Sequence, residues 1–284
     1  MRGLNFRDGY HDFSIRTGGI VVYPRLVAAE HRRIIGTEQI SSGLATLDGM
    51  LGGGIDRGTS TLLMGPAGAG KSALATQYAI AAATRGEKAT IFMFEESLSS
   101  LFNRSTSLGM ALQEHVDSGA IMVRQVDPAQ LQPGEFAALV RQSVEADGSR
   151  VLVIDSLNGY LNAVPEERFL LLHLHELLAY LGQNGVATIL VFAQHGLLGS
   201  AMQSPVDVSY LADCVVLLRY FEAHGRIRKA LSVVKKRSGV HETAIRDFVM
   251  SEKGLQVGAP LEQFRGVLTG IPTYDQIIDQ VREP

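Results

Sequence analysis

A chain of 284 residues, of which 46% are hydrophobic and 19% are charged, has the composition of a globular protein and is long enough for one large α/β domain with extensions. A formal net charge of −3 excludes a strong bulk attraction to nucleic acid or anionic lipid, and a single cysteine, Cys214, excludes an internal disulfide. The longest apolar runs are too short to span a bilayer, and the N-terminus lacks the apolar core of a signal peptide. We therefore expect a cytoplasmic protein without a membrane partner.

The first predicted element is a β-hairpin close to the N-terminus. Alternating apolar residues flank a Gly-Gly turn there, and they are Phe13, Ile15, Ile20 and Val22. The same spacing returns at residues 247–257, which is 235 positions after residues 12–22. A second pattern, at residues 42–51, recurs 227 positions later at residues 269–278. Two pairs in the same order, at nearly one period, predict a tandem duplication.

The duplication divides the chain into one full unit and two partial ones. Residues 1–35 are expected to be the tail of a preceding unit, with little for their hairpin to pack on. Residues 36–264 are expected to form the complete unit. Residues 265–284 are expected to be a C-terminal tail, the vestige of a following unit.

A glycine-rich stretch at residues 65–72 matches the phosphate-loop motif G-x-x-x-x-G-K-[ST] at every fixed position. It consists of Gly65, Pro66, Ala67, Gly68, Ala69, Gly70, Lys71 and Ser72, with Ala73 next in the following helix. A buried strand is predicted over residues 59–64 and a helix over residues 72–83, which is the context in which this motif binds phosphate. Glycines allow successive N–H groups to face an anion, Lys71 reaches the β- and γ-phosphates, and the Ser72 hydroxyl ligates Mg²⁺. The stretch therefore predicts a nucleotide site with Mg²⁺.

Downstream of the loop, predicted strands and helices alternate. Strands are expected over residues 88–94, 120–126, 151–154 and 186–193. Helices are expected over residues 98–108, 133–146 and 166–181. This alternation, with its almost purely aliphatic strands, predicts an α/β fold with a mainly parallel, twisted sheet and helices on both faces. From Cys214 onward strand follows strand, with a hairpin turn at His224-Gly225, so the sheet is expected to end in antiparallel strands.

Acidic residues follow two of these strands. Asp155 comes after the aliphatic run 151–154, which has the form of a Walker B strand, and it is expected to hold Mg²⁺ through water; the alternative is an aspartate that caps the next segment. Glu95 and Glu96 come after the strand over residues 88–94. A carboxylate there could orient the water that attacks a nucleotide, or both could be first-turn acids of the next helix. Since adjacent strand residues face opposite ways, one of the two is expected to reach the phosphate.

A basic cluster, Lys235-Lys236-Arg237, ends the strand predicted over residues 227–234. The residues alone leave three interpretations open: a solvated basic tip, cations that complete a nucleotide site across a subunit boundary, or a nucleic-acid contact. No wider basic stripe or aromatic platform accompanies the cluster, which argues against nucleic acid as a partner.

Together these motifs resemble the KaiC-type ATPases, a RecA-like branch of the P-loop proteins. The resemblance begins at residues 40–55, whose pattern is I-S-S-G-L-x-x-L-D-x-x-L-G-G-G-I, and continues through the phosphate loop. It then includes Phe94-Glu95-Glu96-Ser97, Ile154-Asp155-Ser156, Lys235-x-Arg237 and Gly254-Leu255, and so covers nearly the whole chain. The N-terminal hairpin segment is similar to the tail that two-domain members place before their second domain.

The resemblance implies a function and an assembly. Members form hexameric rings with Mg-ATP between neighbouring subunits, and their paired glutamates, here Glu95 and Glu96, serve hydrolysis or autokinase chemistry. Their Lys-x-Arg strand contacts the neighbour's γ-phosphate, a role that corresponds to Lys235 and Arg237. Gln194 stands where the family has a polar γ-phosphate sensor. The resemblance thus implies an ATP hydrolase acting between the subunits of a homo-oligomer, with a regulatory or signalling role and a protein partner.

One departure bears on the autokinase reaction. The circadian-clock member carries an autophosphorylated Ser-Thr pair before the last core strand, where this sequence has Ser209-Tyr210. The threonine acceptor is therefore missing, although Ser209 keeps a hydroxyl. The main expectation is ATP hydrolysis. The alternatives are an ATP-dependent autokinase or assembly module with little turnover, and a DNA-handling recombinase or helicase, against which the acidic charge balance argues.

Overall fold

The computed structural model describes residues 11–26, 38–129, 132–162, 167–194, 208–269 and 273–274. The strands are β1 (Asp12–Arg16), β2 (Gly19–Tyr23), β3 (Gln39–Ile40), β4 (Ile55–Asp56), β5 (Ser60–Gly65), β6 (Lys88–Met93), β7 (Ile121–Gln125), β8 (Ser149–Asp155), β9 (Ala187–Ala193), β10 (Cys214–Ala223), β11 (Arg226–Lys236), β12 (Arg246–Ser251), β13 (Gly254–Pro260), β14 (Phe264–Arg265) and β15 (Thr273–Tyr274). The helices are α1 (Ala45–Met50), α2 (Lys71–Thr84), α3 (Leu98–Ser107), α4 (Leu112–Asp117), α5 (Pro133–Glu145), α6 (Leu157–Asn162) and α7 (Glu167–Gln183), with a 3₁₀ helix at Val267–Thr269.

A nine-stranded sheet organises the fold, in the order β13-β12-β11-β10-β5-β9-β8-β6-β7. The strands from β10 to β7 in this order run parallel to one another, whereas β11, β12 and β13 pair antiparallel. This arrangement confirms the prediction of a mainly parallel sheet that ends in antiparallel strands. The turn between β10 and β11 is also the predicted one, because His224 and Gly225 both have positive φ, 52° and 67°, as a two-residue type I′ turn requires.

Apolar side chains form a core on each face of the sheet. In β8, Val151 and Val153 lie in the core covered by α1 to α4, whereas Leu152 and Ile154 lie in the core covered by α5 to α7. Successive residues of a strand face opposite ways, so a strand that is buried on both faces is aliphatic throughout. This explains why the sequence of β8 shows no polar alternation.

Helix α7 ends later than the sequence predicted. The expected end was Leu181, because Gly182 and the Asn184-Gly185 pair follow it, but α7 continues through Gly182 to Gln183. Gly185, with φ of 68°, ends the helix: its N–H bonds Gly182 O and the N–H of Val186 bonds Leu181 O, both at 3.0 Å. This pair of bonds is a Schellman motif, in which the glycine stands after the last turn of the helix.

The N-terminal hairpin forms as predicted, from β1 and β2. Its apolar face has little to pack on, as expected, since Phe13, Ile15, Ile20 and Val22 are 50%, 79%, 65% and 55% exposed. Its other face, however, lies on α5, which the sequence did not predict. The carboxylate of Asp12 accepts a hydrogen bond from the N–H of Gly134 at 2.6 Å, and Arg16 forms an ion pair with Glu135. In the second repeat pair, most of the later copy at residues 269–278 lies outside the described residues. Among the helices that the structure describes, none has the length and apolarity needed to cross a bilayer.

Candidate nucleotide-binding site

The predicted site segments meet at one edge of the sheet. Because β5, β9, β8 and β6 are parallel neighbours in register, their carboxyl ends lie side by side. The phosphate loop follows β5 and Gln194 follows β9, while Asp155 ends β8 and both Glu95 and Glu96 follow β6. This is the edge at which open α/β sheets bind ligands.

Packing against the loop requires glycine at two of its positions. Gly65 has φ of 152°, and a Cβ atom there would collide with the carbonyl oxygen of Leu218. Gly70 has φ of 108°, and a Cβ atom there would lie 2.5 Å from Met250 Sδ and 2.7 Å from the Phe248 ring. Helix α2 begins directly after Gly70, so its first N–H groups, which have no partner within the helix, open towards the loop.

Lys71 is buried beneath the loop. Its Nζ donates a hydrogen bond to Pro66 O at 2.7 Å. Burial lowers the pKa of the Lys71 ammonium to about 8, although the nearby charge of Asp155 acts in the opposite direction. An ammonium has three N–H donors, and a phosphate oxygen at the mouth of the loop would raise its pKa again. Lys71 is therefore arranged to receive an anion.

Ser72 and Asp155 are in contact, as their predicted shared role requires. Burial raises the pKa of Asp155, whereas a hydrogen bond from the Ser72 hydroxyl and the charge of Arg104 lower it. A hydroxyl and a carboxylate are the hard oxygen ligands that Mg²⁺ takes, usually with waters and phosphate oxygens completing its shell. Over the described ranges, His, Cys, Asp and Glu side chains form no cluster of three or more that could hold a metal ion without such help. The pair therefore fits a cation that is shared with a bound phosphate.

The two adjacent glutamates have different partners. Both lie beyond the end of β6, so the alternation of strand residues does not apply to them, and the expectation that one of the two reaches the phosphate stays a prediction. Glu95 is exposed, and its Oε2 accepts a hydrogen bond from Ser156 Oγ at 2.9 Å. Glu96 forms an ion pair with Arg104 and accepts a hydrogen bond from Ser100 Oγ at 2.9 Å. The negative charge of Glu96 is thus balanced by Arg104 of α3. No motif in the sequence indicated Arg104, which stands eight residues further along.

Gln194 lies against the loop strand. Its backbone N–H donates to Gly65 O at 3.0 Å. Its side-chain Oε1 is buried and has no hydrogen-bond partner within the part of the chain that the structure describes. A buried polar atom without a partner marks a place where a water or a ligand supplies the missing bond.

Lys235 and Arg237 lie towards the amino ends of the parallel strands, which is the edge of the sheet opposite the phosphate loop. Lys235 pairs with Val215, which in turn pairs with Leu62, three residues before the end of β5. At about 3.3 Å per residue, the phosphate loop of the same chain begins roughly 10 Å further along the strand. The Nζ of Lys235 bonds two carbonyls in the turn before β10, at 2.9 and 2.8 Å, and Arg237 bonds the carboxylate of Asp213 at 3.2 Å. The two cations are therefore held away from the loop of their own chain.

The structure also contains a cavity of about 610 Å³, which no motif in the sequence indicated and which no residue of the phosphate loop lines. It lies between the β10–β11 hairpin and β12, and its walls include the cations of Arg228 and Lys229 and the apolar side chains of Phe248 and Met250. The last two side chains also lie close to Gly70, so the cavity shares these two side chains with the surroundings of the phosphate loop. Its volume is within the range of small-molecule sites.

A phosphate loop between a central parallel strand and a helix, with an acid ending an aliphatic strand two positions away in the same sheet, defines a P-loop nucleotide-binding protein of the RecA-like fold. The family model described as "ATPase: KaiC" matches residues 40–262. The chain belongs to the KaiC ATPase family.

Curated relatives agree with this assignment. The chain is 27% identical over 274 residues to the circadian clock protein KaiC3 of Synechocystis sp. (strain ATCC 27184 / PCC 6803 / Kazusa), a match that covers 96% of this chain and 54% of the relative. It is 26% identical over 273 residues to the circadian clock oscillator protein KaiC of Thermostichus vulcanus, covering 96% of this chain and 52% of the relative. The corresponding protein of Synechococcus elongatus (strain ATCC 33912 / PCC 7942 / FACHB-805) gives the same identity and coverage. The chain thus spans about half the length of the curated relatives it matches.

Proposed function

We propose that this chain hydrolyses Mg-ATP in a ring of identical subunits, each site being completed by cations of the neighbouring subunit. The supporting observation is the division of the predicted residues between two edges of the sheet. The phosphate loop, Asp155, Glu95 and Gln194 lie at one edge, whereas Lys235 and Arg237 lie at the other. Rings are closed by head-to-tail contacts between subunits. Such a contact places the edge that carries the phosphate loop of one subunit against the edge that carries Lys235 and Arg237 of its neighbour.

In this proposal the loop from Gly65 to Ala73 binds the phosphates. Its N–H groups and the start of α2 face the β-phosphate, and Lys71 exchanges its bond to Pro66 for phosphate oxygens. Ser72 and Asp155 hold Mg²⁺, which offsets the charge of the phosphate oxygens. The cavity beside the loop accommodates the nucleoside, with Phe248 and Met250 as its apolar wall.

Glu95 orients the attacking water, and Glu96 does not. The Glu96 carboxylate is bound by Arg104 and Ser100, whereas Glu95 is exposed and held by a single serine hydroxyl. A carboxylate that accepts a hydrogen bond from water can align it in line with the phosphorus atom and the departing ADP oxygen. The side-chain oxygen of Gln194 can only accept a hydrogen bond, and it has no partner among the described residues. It therefore accepts a hydrogen bond from the attacking water and contacts the γ-phosphate through that water.

A comparison of Glu95→Gln with Glu96→Gln tests this assignment. In a phosphate-release assay we expect Glu95→Gln to lower turnover by at least about 100-fold, the usual contribution of a positioned acid or base. In Glu96→Gln the neighbouring residues are unchanged, and we expect turnover to fall by less than about tenfold. Both variants should retain the thermal shift that Mg-ATP produces. Full turnover in Glu95→Gln, with the loss in Glu96→Gln instead, would contradict the assignment.

An autokinase reaction is the second candidate, and a specific contact favours it. Lys235 Nζ bonds Ser209 O at 2.9 Å, and Arg237 bonds Tyr210 O at 2.7 Å. If these cations reach the neighbour's γ-phosphate, the hydroxyls of Ser209 and Tyr210 arrive with them. Retention of label from γ-labelled ATP, lost in Ser209→Ala or Tyr210→Phe, would support the autokinase, whereas label released only as free phosphate supports hydrolysis.

The cellular role follows from the same proposal. A ring that changes with its nucleotide is suited to regulation or signalling through a protein partner, and the named relatives are circadian clock proteins. The single, buried Cys214 suits a cytoplasmic location.

A further inference from the structure

The start of α6 lies between the two strands that lead to Gln194 and Glu95. In the sheet β8 has β9 on one side and β6 on the other, and α6 follows β8 after a single residue, Ser156. Gln194 comes directly after β9, and Glu95 comes shortly after the end of β6. The first turn of α6 is therefore placed to contact the supports of both groups that bind the attacking water in the proposed function.

Asn158, in the first turn of α6, pairs with the main chain of Ala193. Its Oδ1 accepts a hydrogen bond from the N–H of Ala193 at 2.7 Å, and its Nδ2 donates to the carbonyl oxygen of Ala193 at 2.9 Å. The pairing of β8 with β9 ends earlier, at Ile154 and Leu190. In a parallel sheet the N–H and C=O of one residue point to the same neighbouring strand. The amide of Asn158 thus takes the place of a strand residue that β8 no longer supplies.

The main chain at Ala193 and Gln194 is consequently held from both sides. The N–H of Gln194 bonds Gly65 O at 3.0 Å on the side of β5, and Asn158 bonds Ala193 on the side of β8. The Gln194 side chain follows directly from this main chain and ends in the buried Oε1, which has no hydrogen-bond partner among the described residues. The place of that oxygen relative to the phosphate loop therefore depends on the bonds that hold Ala193.

The same turn of α6 also holds Glu95. Ser156 Oγ donates to Glu95 Oε2 at 2.9 Å and accepts a hydrogen bond from the N–H of Gly159 at 3.4 Å. A Cβ atom at the buried Gly159 would lie 2.5 Å from Phe94 Cβ and 3.4 Å from Glu95 Cγ, so this close approach requires glycine. Residues 156–159 thus contact Glu95 on one side and Ala193 on the other.

We propose that Asn158 is a positioning residue for ATP hydrolysis, which holds Gln194 at the distance from Glu95 at which both accept hydrogen bonds from the attacking water. Asn158 acts here on the same water, so this role rests on the proposed function. Asparagine suits the role because its side chain both donates and accepts, whereas an aspartate carboxylate only accepts. A displacement of roughly 1 Å in an aligned group can lower a rate about 100-fold. The expected defect is therefore in kcat rather than in the binding of ATP.

A double-mutant cycle on phosphate release by the full chain tests this role. Asn158→Ala removes both bonds to Ala193 and introduces a strong helix former into α6. We expect it to lower kcat at least about tenfold and to change KM less than about threefold. Gln194→Ala should also lower kcat, and the double variant should be no slower than Gln194→Ala alone, because Asn158 acts through Gln194. Asn162→Ala, at the exposed end of the same helix, is the matched control and should keep both constants.

The cycle separates this role from the proposed function. If the parent is active and Asn158→Ala has the same kcat, or if the two losses multiply in the double variant, the role of Asn158 is overturned and the proposed function stands. A parent that releases no phosphate from Mg-ATP overturns the proposed function, and the role of Asn158 with it.

Hydrogen exchange in the nucleotide-free protein measures the contact itself, without hydrolysis. In Asn158→Ala the N–H of Ala193 loses its acceptor, so we expect this amide to exchange about fivefold faster than in the parent. The amides of β8 should keep the parent's rates, which excludes a general loss of stability, and Asn162→Ala should match the parent throughout. Unchanged exchange at Ala193 in Asn158→Ala would show that Asn158 does not hold this main chain and would overturn the proposal.

Discussion

Lys71→Met should stabilise the nucleotide-free protein while abolishing its response to nucleotide. The ammonium of Lys71 is buried, and burial lowers its pKa from an ordinary value of 10.5 to about 8. At about 1.36 kcal/mol for each pH unit, that difference means that keeping the amine charged at pH 7 costs roughly 3 kcal/mol in the folded state. The hydrogen bond to Pro66 O is lost in the variant, which offsets about 1 kcal/mol. We therefore expect a net gain of roughly 2 kcal/mol in the free energy of unfolding.

The gain should depend on pH in one direction. Because the pKa of Lys71 is lower in the folded than in the unfolded chain, the unfolded chain binds more protons between about pH 8 and 10.5. The stability of the parent protein therefore rises with pH across that window, relative to the variant. The advantage of Lys71→Met should be complete below about pH 8 and should fade as the pH approaches 10.5.

Urea denaturation followed by far-UV circular dichroism measures both effects, since the chain has no tryptophan. Mg-ATP should raise the unfolding midpoint of the parent but not that of Lys71→Met, because only ligand bound to the folded state stabilises it. Lys236→Met is a matched control: Nζ of this buried lysine bonds Leu51 O and Gly54 O at 2.6 and 3.0 Å, so its loss should destabilise the protein and leave the Mg-ATP response intact. A Lys71→Met protein that is less stable than the parent at pH 7, or that still responds to Mg-ATP, would refute the reasoning.

Three further substitutions or probes test separate parts of the structure. Burial raises the pKa of the Cys214 thiol to about 12, so we expect a thiol reagent at pH 8 to label the protein only as it unfolds; rapid, complete labelling of the native protein would contradict this. Gly70→Ala should abolish the thermal shift caused by Mg-ATP and lower stability by about 1–3 kcal/mol, as measured by urea denaturation, because its φ is 108° and its Cβ would meet Met250 and Phe248. Phe248→Ala should cost about 3–5 kcal/mol in the same assay, whereas Val249→Ala, on the exposed face of β12, should cost less than about 1 kcal/mol.

Local patterns predicted most of the fold. The aliphatic run of β8 specifies a strand that is buried on both faces, and the His224-Gly225 pair fits the only common two-residue turn with positive φ at both positions. The short helices α1, α4 and α6 were not predicted. Each has six residues, which is too few to show an apolar period, and tertiary packing through residues such as Leu47 and Leu157 holds them in place.

The site could be predicted only in part, because it depends on contacts between distant segments. The motif around Lys71 and the acid at Asp155 are local signals, and the structure places them at the carboxyl ends of β5 and β8, with only β9 between these two strands. The different environments of Glu95 and Glu96 depend on Arg104, whose position on α3 becomes meaningful only once the chain is folded. The cavity beside the loop similarly arises where β11 and β12 diverge, which no single segment encodes.

Mixed rings test the central claim, that each ATP site uses residues of two subunits. Glu95→Gln damages the loop edge and Arg237→Ala the opposite edge, so each variant alone should hydrolyse little ATP. In a 1:1 mixture about one interface in four combines an intact Glu95 with an intact Arg237, and we expect roughly a quarter of the parent rate. Glu95→Gln mixed with Lys71→Met should recover nothing, because both changes affect the same edge. Light scattering and co-elution of differently tagged chains verify that the subunits assemble together. A co-assembled mixture of Glu95→Gln and Arg237→Ala that is no more active than its separate components would contradict the account.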